Sequence, residues 1–401
     1  MQSILWISAR LPAPLLQGDA IYSAGLIKAL GLSGSTRIHI VGCRRAEGLI
    51  DYSGLSPAEV TEAPLPSRRR MMSLITQLPQ DACTLASQPL QQEVRRLLQA
   101  ESWSWIVIDH ANSGGLLPLV EAHRGNASVC YIAHNAEGMI RPEIARGFGI
   151  TPRGAVMRWD AVKYKQLEQR LLKAANLVIC ISDADAKYFS RFNENVRVSP
   201  PVYLGTPAEI RKIESTRPRS LLLVGSFNWI AKQKNLERII QVLCPVLQRN
   251  GIMLEVIGAV PAHIRNKFDG KFTNLTFHGQ VGDLKPLLER CRGGLVAEEL
   301  GGGFKLKVLD YAFSGLPVFG LEAALEGSTI DEHAAMFIAR SIEELATCIV
   351  ANVDDIDALN GRQLALFNLA SKRFGIEPAI RRLSAAFHEP ISPPARVVHN
   401  A

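Results

Sequence analysis

The chain alternates short runs of β-branched and other apolar residues with amphipathic segments along almost its whole length. Such runs include Trp105–Asp109 and Ser128–Ala133, and helical patterns such as Ala20–Leu30 follow several of them. The alternation restarts after Pro200-Pro201, with runs such as Leu221–Val224. Strands that alternate with helices form parallel sheets, so we predict an α/β protein with two parallel-sheet domains facing one another. Ligands of such sheets bind at the carboxyl ends of the strands, so the cleft between the domains is the expected site.

The domain boundaries follow from changes in composition. Residues 1–200 form the first predicted domain. Residues 201–218 have several prolines, mixed charges and no strong period, which is typical of a linker. Residues 219–375 form the second predicted domain. Residues 376–401 are predicted to be a C-terminal helix, able to pack back on the first domain, followed by a frayed proline-rich tail.

Composition limits the class of protein and its location. A hydrophobic content of 47% and a charged content of 21% are typical of a globular protein. No apolar run approaches the roughly 20 residues that span a bilayer, so we expect a cytoplasmic protein. The seven cysteines are scattered singly, as in proteins of a reducing compartment, and none has the spacing of a metal site. The net charge is +7, and residues 1–200 carry 22 basic against 17 acidic residues, which favours that half for contact with an anionic partner.

A glycine-rich stretch at 301–303 leads into a helical segment that carries cations first and a carboxylate one turn later. Helix N-termini offer free backbone N–H groups and a partial positive charge, and lysines neutralise phosphate. Lys307 and Asp310 are three residues apart and therefore lie on one helical face, with Lys305 close by in the chain. The pattern predicts a site for a diphosphate and for neighbouring sugar hydroxyls, as in a nucleotide-sugar. The alternative is an ordinary loop, helix and strand with surface lysines.

Four motifs occur in order along the chain. They are Arg10-Leu11-Pro12 with Gly18-Asp19, His134-Asn135-Ala136-Glu137, Val224-Gly225-Ser226-Phe227-Asn228-Trp229, and the stretch from Gly303 to Asp310. With these motifs the chain resembles the GT-B glycosyltransferases, and especially the family 4 retaining enzymes of bacterial exopolysaccharide and surface-glycan synthesis. The resemblance implies two Rossmann-like domains that face a central cleft, the first on the acceptor side and the second for the nucleotide-sugar. It also implies retaining transfer of a sugar from a nucleotide-sugar donor to a glycan or lipid-linked glycan acceptor.

In the first domain, the resemblance places the catalytic candidate His134 beside the donor sugar and the reacting centre. It gives Glu137 the role of binding or orienting an acceptor hydroxyl, and Gly18, Asp19 and Asn135 would border the acceptor. Two plainer interpretations stay open. Gly18-Asp19 can be a turn with Asp19 as a helix N-cap, and His134 with its neighbours can be a polar loop that caps the next helix.

In the second domain, the resemblance brings the loop of Gly225 and Ser226 close to the nucleotide diphosphate. The family often has an arginine and a lysine there as a phosphate clamp, whereas this chain has Lys232 and Lys234. Both open a predicted helix, where a cation opposes the helix dipole unless an anion intervenes. Lys232 would help Lys307 to stabilise the departing diphosphate. The alternative is two surface lysines.

Many family 4 enzymes carry two acidic residues eight positions apart, of which the second binds ribose hydroxyls. Asp310 stands at the second place, but Gly302 stands at the first. Glu298 and Glu299 lie just upstream and are candidates for the missing sugar-binding carboxylate. The backbone at Gly302 and Gly303 is another candidate for donor binding.

We expect no cofactor and no catalytic metal, because lysines and helix dipoles can stabilise the departing diphosphate. Asp183-Ala184-Asp185 spells a D-x-D motif, but Ser182 before it indicates the first turn of a helix. A dinucleotide-dependent oxidoreductase is disfavoured, because the first strand leads into Ala9–Pro14 and not into a glycine fingerprint. We expect no nucleic-acid partner, since basic residues are not interleaved with aromatic ones and the aromatic content is 6%.

A segment at 67–78 combines Arg68, Arg69 and Arg70 with an apolar stripe at positions 71, 74, 75 and 78. A basic cluster beside an apolar stripe suits an anionic membrane surface, which would place the protein peripherally on the inner face of the cell membrane. The alternative is a core-facing helix with a solvated arginine end.

Two other functions stay open. A nucleotide-sugar 2-epimerase on the same fold would process the donor without an acceptor. A degenerate transferase would serve as a non-catalytic glycan-binding or assembly subunit, as the departures at Gly302 and Asp310 allow.

Overall fold

The computed structural model describes residues 1–15, 17–45, 47–65, 73, 76–300, 304–325 and 335–389. The chain divides into two compact units. The first comprises Met1–Leu204 and Ile376–Ala401, and the second comprises Gly205–Gly375. Most of the expected linker, residues 205–218, therefore belongs to the second unit. Among the described residues, no helix is both long enough and apolar enough to cross a membrane.

The first unit contains a seven-stranded sheet in the order β3-β2-β1-β4-β5-β6-β7, in which all neighbours are parallel. Its strands are β1 (Gln2–Arg10), β2 (Thr36–Cys43), β3 (Glu59–Ala63), β4 (Trp105–Asp109), β5 (Ser128–Ala133), β6 (Leu177–Cys180) and β7 (Val196–Val198). Strand β1 pairs with β4, with Ile4 opposite Trp105 and Ser8 opposite Asp109. The carboxyl ends of these two strands therefore meet at one edge of the sheet.

Side chains of β1 alternate between two hydrophobic cores, as the two-residue period of a strand requires. Ile4 and Trp6 belong to one core, and Leu5 and Ile7 belong to the other. The helices around this sheet are α1 (Gly18–Leu32), α2 (Gln80–Leu85), α3 (Gln88–Ala100), α4 (Leu117–His123), α5 (Glu137–Arg146), α6 (Pro152–Ala174), α7 (Asp183–Phe189) and a C-terminal helix (Ile376–His388). Because the centre of the sheet is buried on both faces, its central strands β1, β4, β5 and β6 are largely apolar runs in the sequence.

The second unit contains a six-stranded parallel sheet in the order β10-β9-β8-β11-β12-β13. Its strands are β8 (Ser220–Val224), β9 (Met253–Ile257), β10 (Leu275–Gly279), β11 (Gly293–Val296), β12 (Val318–Leu321) and β13 (Phe337–Ala339). Its helices are α8 (Ile230–Arg249), α9 (Ala262–Phe268), α10 (Lys285–Arg290), α11 (Lys307–Phe313), α12 (Glu322–Leu325), α13 (Ile342–Asn352) and α14 (Ile356–Phe374). Both sheets contain the doubly wound strand order 3-2-1-4-5-6. The predicted α/β class with two Rossmann-like parallel-sheet domains is confirmed.

The sequence pattern does not predict β3 or β13, which are short edge strands. Strand β3 has a single buried residue and therefore gives a weak apolar signal. The predicted C-terminal helix begins at Ile376 and packs on α1. The Phe387 carbonyl near its end accepts hydrogen bonds from the side chains of Gln2 and Trp105, at 3.0 and 3.2 Å. The expected tail after Glu389 lies outside the described residues.

Candidate active site

A polar pocket of about 220 Å³ lies at the carboxyl ends of β1 and β4 in the first unit. The strand order reverses there, which is the usual ligand position in sheets of this kind. The walls are mostly polar and charged: Ser8, Ala9, Arg10, Asp19, Ser23, Arg45, Asp81, Leu85, Asp109, His110, Asn112 and His134. Asp19 and His134, which the sequence predicted for the site, are among them. Gly18, Asn135 and Glu137 are not among the described residues that line this pocket.

A buried pair, His134 and Asp109, forms part of the wall. His134 Nε2 lies 2.8 Å from Asp109 Oδ1. The other carboxylate oxygen accepts hydrogen bonds from the Trp6 indole at 3.0 Å and the Ser8 hydroxyl at 3.2 Å. Burial raises the pKa of Asp109, but the hydrogen bond and the charge of His134 outweigh it, so the pKa lies below its ordinary value. Asp109 therefore stays ionised at neutral pH and orients the His134 ring.

His110, the residue after β4, has a backbone conformation that is essentially reserved for glycine, with φ 68° and ψ 148°. Its Nδ1 accepts a hydrogen bond from the Asn112 backbone N–H at 3.0 Å, and its ring centroid lies 4.8 Å from that of His134. Burial, followed by the nearby His134, lowers the pKa of His110 to about 4, so this imidazole is neutral at neutral pH. Strain of this kind costs about 1–3 kcal/mol and is typical of functional sites.

Glu137 and Asn135 hold the turn that follows His134. The Glu137 carboxylate is buried and accepts a hydrogen bond from Arg141 Nε at 2.6 Å. The backbone N–H groups of Glu137 and Gly138 donate to Glu168 at 2.8 and 2.9 Å. Burial raises the pKa of this second carboxyl, Glu168, to about 7. The Asn135 carbonyl accepts a hydrogen bond from the Glu137 N–H at 3.0 Å, which closes the turn.

Gly18 and Asp19 are the first two residues of α1. The N-cap is Gln17, and its side chain makes no capping hydrogen bond. Asp19 instead forms an ion pair with Arg45 at 2.6 Å, and Arg45 also donates to the Leu11 carbonyl at 2.7 Å. Burial raises the pKa of Asp19, but Arg45 outweighs it and the pKa lies below its ordinary value. The plainer interpretation of Asp19 as an N-cap is therefore wrong, and Asp19 contributes a fixed charge to the pocket wall.

In the second unit, three lysines lie close enough to one another for their charges to interact. The Lys307 ammonium forms an ion pair with the Glu298 carboxylate, and both side chains are largely buried. Burial raises the pKa of Glu298, but Lys307 and then Lys305 outweigh it, so the pKa is lowered. Burial lowers the pKa of Lys305; the Glu298 charge opposes this, and the positive charges of Lys307 and Lys232 add to it. The group therefore has three cations and one carboxylate.

Asp310 lies on α11 one turn after Lys307, as the sequence predicts. Burial alone raises the pKa of Asp310 to about 6. Among the described residues, its carboxylate has no hydrogen-bond donor and no cationic partner. The helix itself is fixed to the end of β8, because the Tyr311 hydroxyl donates to the Leu222 carbonyl and accepts from the Val224 N–H, both at 3.0 Å.

The loop after β8 contains Gly225 and Ser226. The Gly225 N–H donates to the Ile257 carbonyl at 3.0 Å. Gly258 has φ 123°, and a Cβ there would lie 1.6 Å from the Gly225 carbonyl oxygen, so the two loops pack backbone against backbone. Ser226 is exposed, as is Lys232 in the first turn of α8.

The chain that leads into the glycine stretch is anchored by Asn235. Its side-chain amide donates to the Leu300 carbonyl at 2.7 Å and accepts from the Leu300 N–H at 2.9 Å. Glu299 next to it forms a surface ion pair with Arg238 at 3.7 Å. Gly302 and Gly303 lie outside the described residues, and their predicted role stays a prediction.

The D-x-D sequence forms the first turn of α7, as predicted. The Ser182 hydroxyl accepts a hydrogen bond from the Asp185 N–H at 3.1 Å and donates to its carboxylate at 2.6 Å. In the part of the chain that the structure describes, no three His, Cys, Asp or Glu side chains are grouped to hold a metal ion. The expectation that no metal is needed stays untested.

The segment at 67–78 is only partly described. Arg68, Arg69 and Arg70 lie outside the described residues, as do the apolar positions 71, 74 and 75. Leu78 packs against the core of the first unit. Ser73 is buried, and its carbonyl accepts a hydrogen bond from the Lys163 ammonium.

Sequence reasoning did not identify Asp109, His110 or Arg45 as site residues. Asp109 ends a predicted strand and His110 follows it, so two titratable residues at the carboxyl end of a buried strand were the available signal. No comparable signal marks Arg45, because its contact with Asp19 depends on β2 lying beside β1.

Residues 218–355 match the protein family described as Glycosyl transferases group 1. No curated protein sequence matches the chain. Among solved structures, the chain is similar to Anabaena HepE in complex with UDP and glucose, with a TM-score of 0.67, 13% identity, and coverage of 97% of this chain and 100% of that one.

Two other solved structures are similar over comparable lengths. Sucrose-phosphate synthase from Thermosynechococcus elongatus has a TM-score of 0.67 and 15% identity, with 96% of this chain and 98% of that one covered. A variant of S. aureus TarM in complex with fondaparinux, α-GlcNAc-glycerol and UDP has a TM-score of 0.66 and 10% identity, with 97% and 100% covered. The structural matches show the GT-B fold, and the family match shows a group 1 glycosyltransferase domain in the second unit. The chain is a glycosyltransferase with the GT-B fold.

Proposed function

We propose that this glycosyltransferase is a retaining enzyme that transfers a sugar from a UDP-sugar to a glycan or lipid-linked glycan acceptor in bacterial surface polysaccharide synthesis. The observation that carries the proposal is the combination of the lysine group with Asp310 on one side of α11. Anabaena HepE and S. aureus TarM were both solved with UDP, which is why we propose uridine as the base.

The lysine group suits a diphosphate. Lys307 is paired with Glu298, and the positive charges of Lys305, Lys307 and Lys232 act on one another in a partly buried place. Burial and then repulsion from Lys307 and Lys232 lower the pKa of Lys305, and an arriving diphosphate would relieve that repulsion. The same cations would stabilise the charge that grows on the diphosphate as the glycosidic bond breaks.

Asp310 suits the ribose. A half-buried carboxylate without a described partner has acceptor oxygens that a ligand's donors can reach. Two vicinal hydroxyls are donors of suitable size, and Asp310 lies one turn from Lys307. We therefore assign the diphosphate to Lys307 and its neighbours, and the ribose hydroxyls to Asp310.

The pocket of the first unit suits a hydroxyl-rich ligand. Its walls combine carboxylates, a guanidinium, two imidazoles and an amide, which offer both donors and acceptors. We keep for His134 the position at the reacting sugar that the resemblance implies, and we add Asp109 as the residue that orients it. Glu137 and Asn135 would act indirectly, by holding the turn that follows His134.

Thermal-shift measurements with a panel of nucleotide-sugars test the proposal. A UDP-sugar at 100 times its dissociation constant should stabilise the protein by about 2.7 kcal/mol, and the other nucleotides should stabilise it less. Incubation with the preferred donor then separates the activities. Release of UDP that depends on an added glycan acceptor supports transfer. A new nucleotide-sugar formed without an acceptor would indicate a 2-epimerase, and binding without turnover would indicate an assembly subunit.

A further inference from the structure

Helix α6 and the loop before it carry apolar side chains that the described part of the chain leaves exposed. Ile150 is fully exposed, and Val156, Trp159 and Val162 are each about half exposed. The three helical residues are spaced by three, so they lie along one face of α6. Contiguous exposed apolar residues of this size mark an interaction surface, whereas single ones are ordinary.

Positive charge surrounds these residues. Among residues 137–174, the exposed charged side chains are Arg146, Arg153, Arg158, Lys165, Arg170 and Lys173, with Glu143 as the one exposed carboxylate. Glu137 and Glu168 are buried in the turn after His134, and Asp160 accepts a hydrogen bond from the Gln80 N–H at 2.8 Å. The range has 8 basic and 4 acidic residues, so it supplies more than half of the net charge of +7.

We propose that this surface, Ile150, Val156, Trp159 and Val162 with the cations around them, docks on an anionic lipid bilayer. We call it the α6 surface. A tryptophan and small aliphatic residues suit the interface between headgroups and acyl chains, and the stems of lysine and arginine extend along apolar surface to reach lipid phosphates. Nucleic acids offer no apolar layer for Ile150 and Val156, whereas an anionic bilayer offers an apolar layer and negative headgroups at one surface. Charge and apolarity together therefore favour lipid.

A contact within the first unit supports this placement. The ammonium group of Lys163, on the buried side of α6, donates a hydrogen bond to the carbonyl of Ser73. The described part of the segment at 67–78 therefore touches the helix that carries the α6 surface. A membrane contact predicted from the sequence and one inferred from exposure fall in the same part of the first unit.

Vesicle sedimentation of the full chain tests the proposal without any donor or turnover, so its outcome is independent of the proposed function. The probes are phosphatidylcholine vesicles with and without one third phosphatidylglycerol, at low and high salt. The variants are Arg153/Arg158/Lys165→Ser and Trp159→Ser. The control is Arg249/Lys271/Lys285→Ser, which removes three exposed cations from the second unit. Circular dichroism and thermal melting check that each variant is folded.

We expect the parent to bind anionic vesicles and not neutral ones, and to be released by high salt. Loss of three cations near an anionic surface should lower partitioning by about two orders of magnitude, while the control binds like the parent. Trp159→Ser should weaken binding without removing its salt dependence. Absence of parent binding, equal binding by the triple variant, or an equal loss in the control would overturn the proposal. So would loss confined to an Arg68/Arg69/Arg70→Ser variant, because it would place the contact in the segment at 67–78 alone.

Discussion

Asp109 is a buried carboxylate and Asp310 a half-buried one, and their surroundings shift their pKa values in opposite directions. At Asp109 the hydrogen bond and the charge of His134, with the hydrogen bond from Trp6, outweigh burial and keep the carboxylate ionised. Burial acts without opposition at Asp310. A carboxylate whose hydrogen bonds are all made has a positioning role, whereas one left without donors in the described structure is suited to receive a ligand.

Asp310→Asn should make the unliganded protein more stable at pH 7.5 and change it little at pH 4. The pKa of Asp310 is raised to about 6 in the folded state from its ordinary 3.8, so the parent loses stability as pH rises between these two values. Above pH 6 this ionisation lowers the free energy of unfolding of the parent by at most about 3 kcal/mol. Thermal denaturation of both proteins at pH 4, 6 and 7.5 measures it. A difference that does not vary with pH would contradict the assignment.

Asp109→Asn should lower kcat by at least about tenfold and leave the affinity for UDP nearly unchanged, because the carboxylate acts by orienting His134. An amide accepts the hydrogen bonds from Trp6 and Ser8 less well than a carboxylate does, so the substitution should also lower the free energy of unfolding by about 1–3 kcal/mol. The sharper measurement is a double-mutant cycle with His134→Ala, which should itself reduce kcat much more than donor affinity. If Asp109 acts through His134, the double variant is no slower than His134→Ala alone. Additive losses would give Asp109 a separate role.

At the level of helices and strands, the segments that position both sites are those that the sequence predicts best. Strands β4 and β5 are continuous apolar runs, and their predicted ends coincide with the observed ones. Helix α11 begins at Lys307 and ends before Gly315, whose φ of 65° is the conformation that favours glycine at a helix end. The sequence pattern misses edge strand β3 because it has a single buried residue, and edge strand β13 because it is only three residues long. The pairing of β1 with β4, about a hundred residues apart, is a tertiary contact that no local pattern encodes.

Asn235→Ala should weaken UDP binding and destabilise the second unit by about 1–3 kcal/mol, because both backbone groups of Leu300 lose their partner. Leu300 directly precedes the glycine stretch, so its release should loosen the chain that leads to the lysine group. Asn250→Ala at the other end of α8 is the matched control, since within the described residues its side chain bonds only the Val246 carbonyl. Calorimetric titration and thermal melting are the measurements. Equal effects of the two substitutions would show that Asn235 has no special link to the donor site.

For the whole molecule, the two units carry complementary parts of the proposed function. The second unit holds the lysine group and Asp310, and the family match falls within it. The first unit holds the pocket of His134 and the α6 surface. The alternation of strands and helices was sufficient to predict two parallel sheets, because such an alternation leaves few topologies. The order of the motifs then indicated the GT-B fold. It was not sufficient to find Asp109, His110 or Arg45, because these residues join the pocket only through the order of strands in space.

Calorimetric titration with UDP tests the central claim most directly. The informative variant is Lys307→Ala/Glu298→Gln, which removes the lysine without leaving a buried unpaired carboxylate. The matched control is Lys285→Ala/Glu289→Gln, an exposed lysine–glutamate pair in the same unit whose charged atoms lie 3.9 Å apart. We predict that UDP binds the parent and the control equally and binds the Lys307 variant about 10- to 100-fold more weakly, as expected for a charge-assisted phosphate contact. Equal affinity of all three proteins, or no binding of UDP to the parent, would contradict the account.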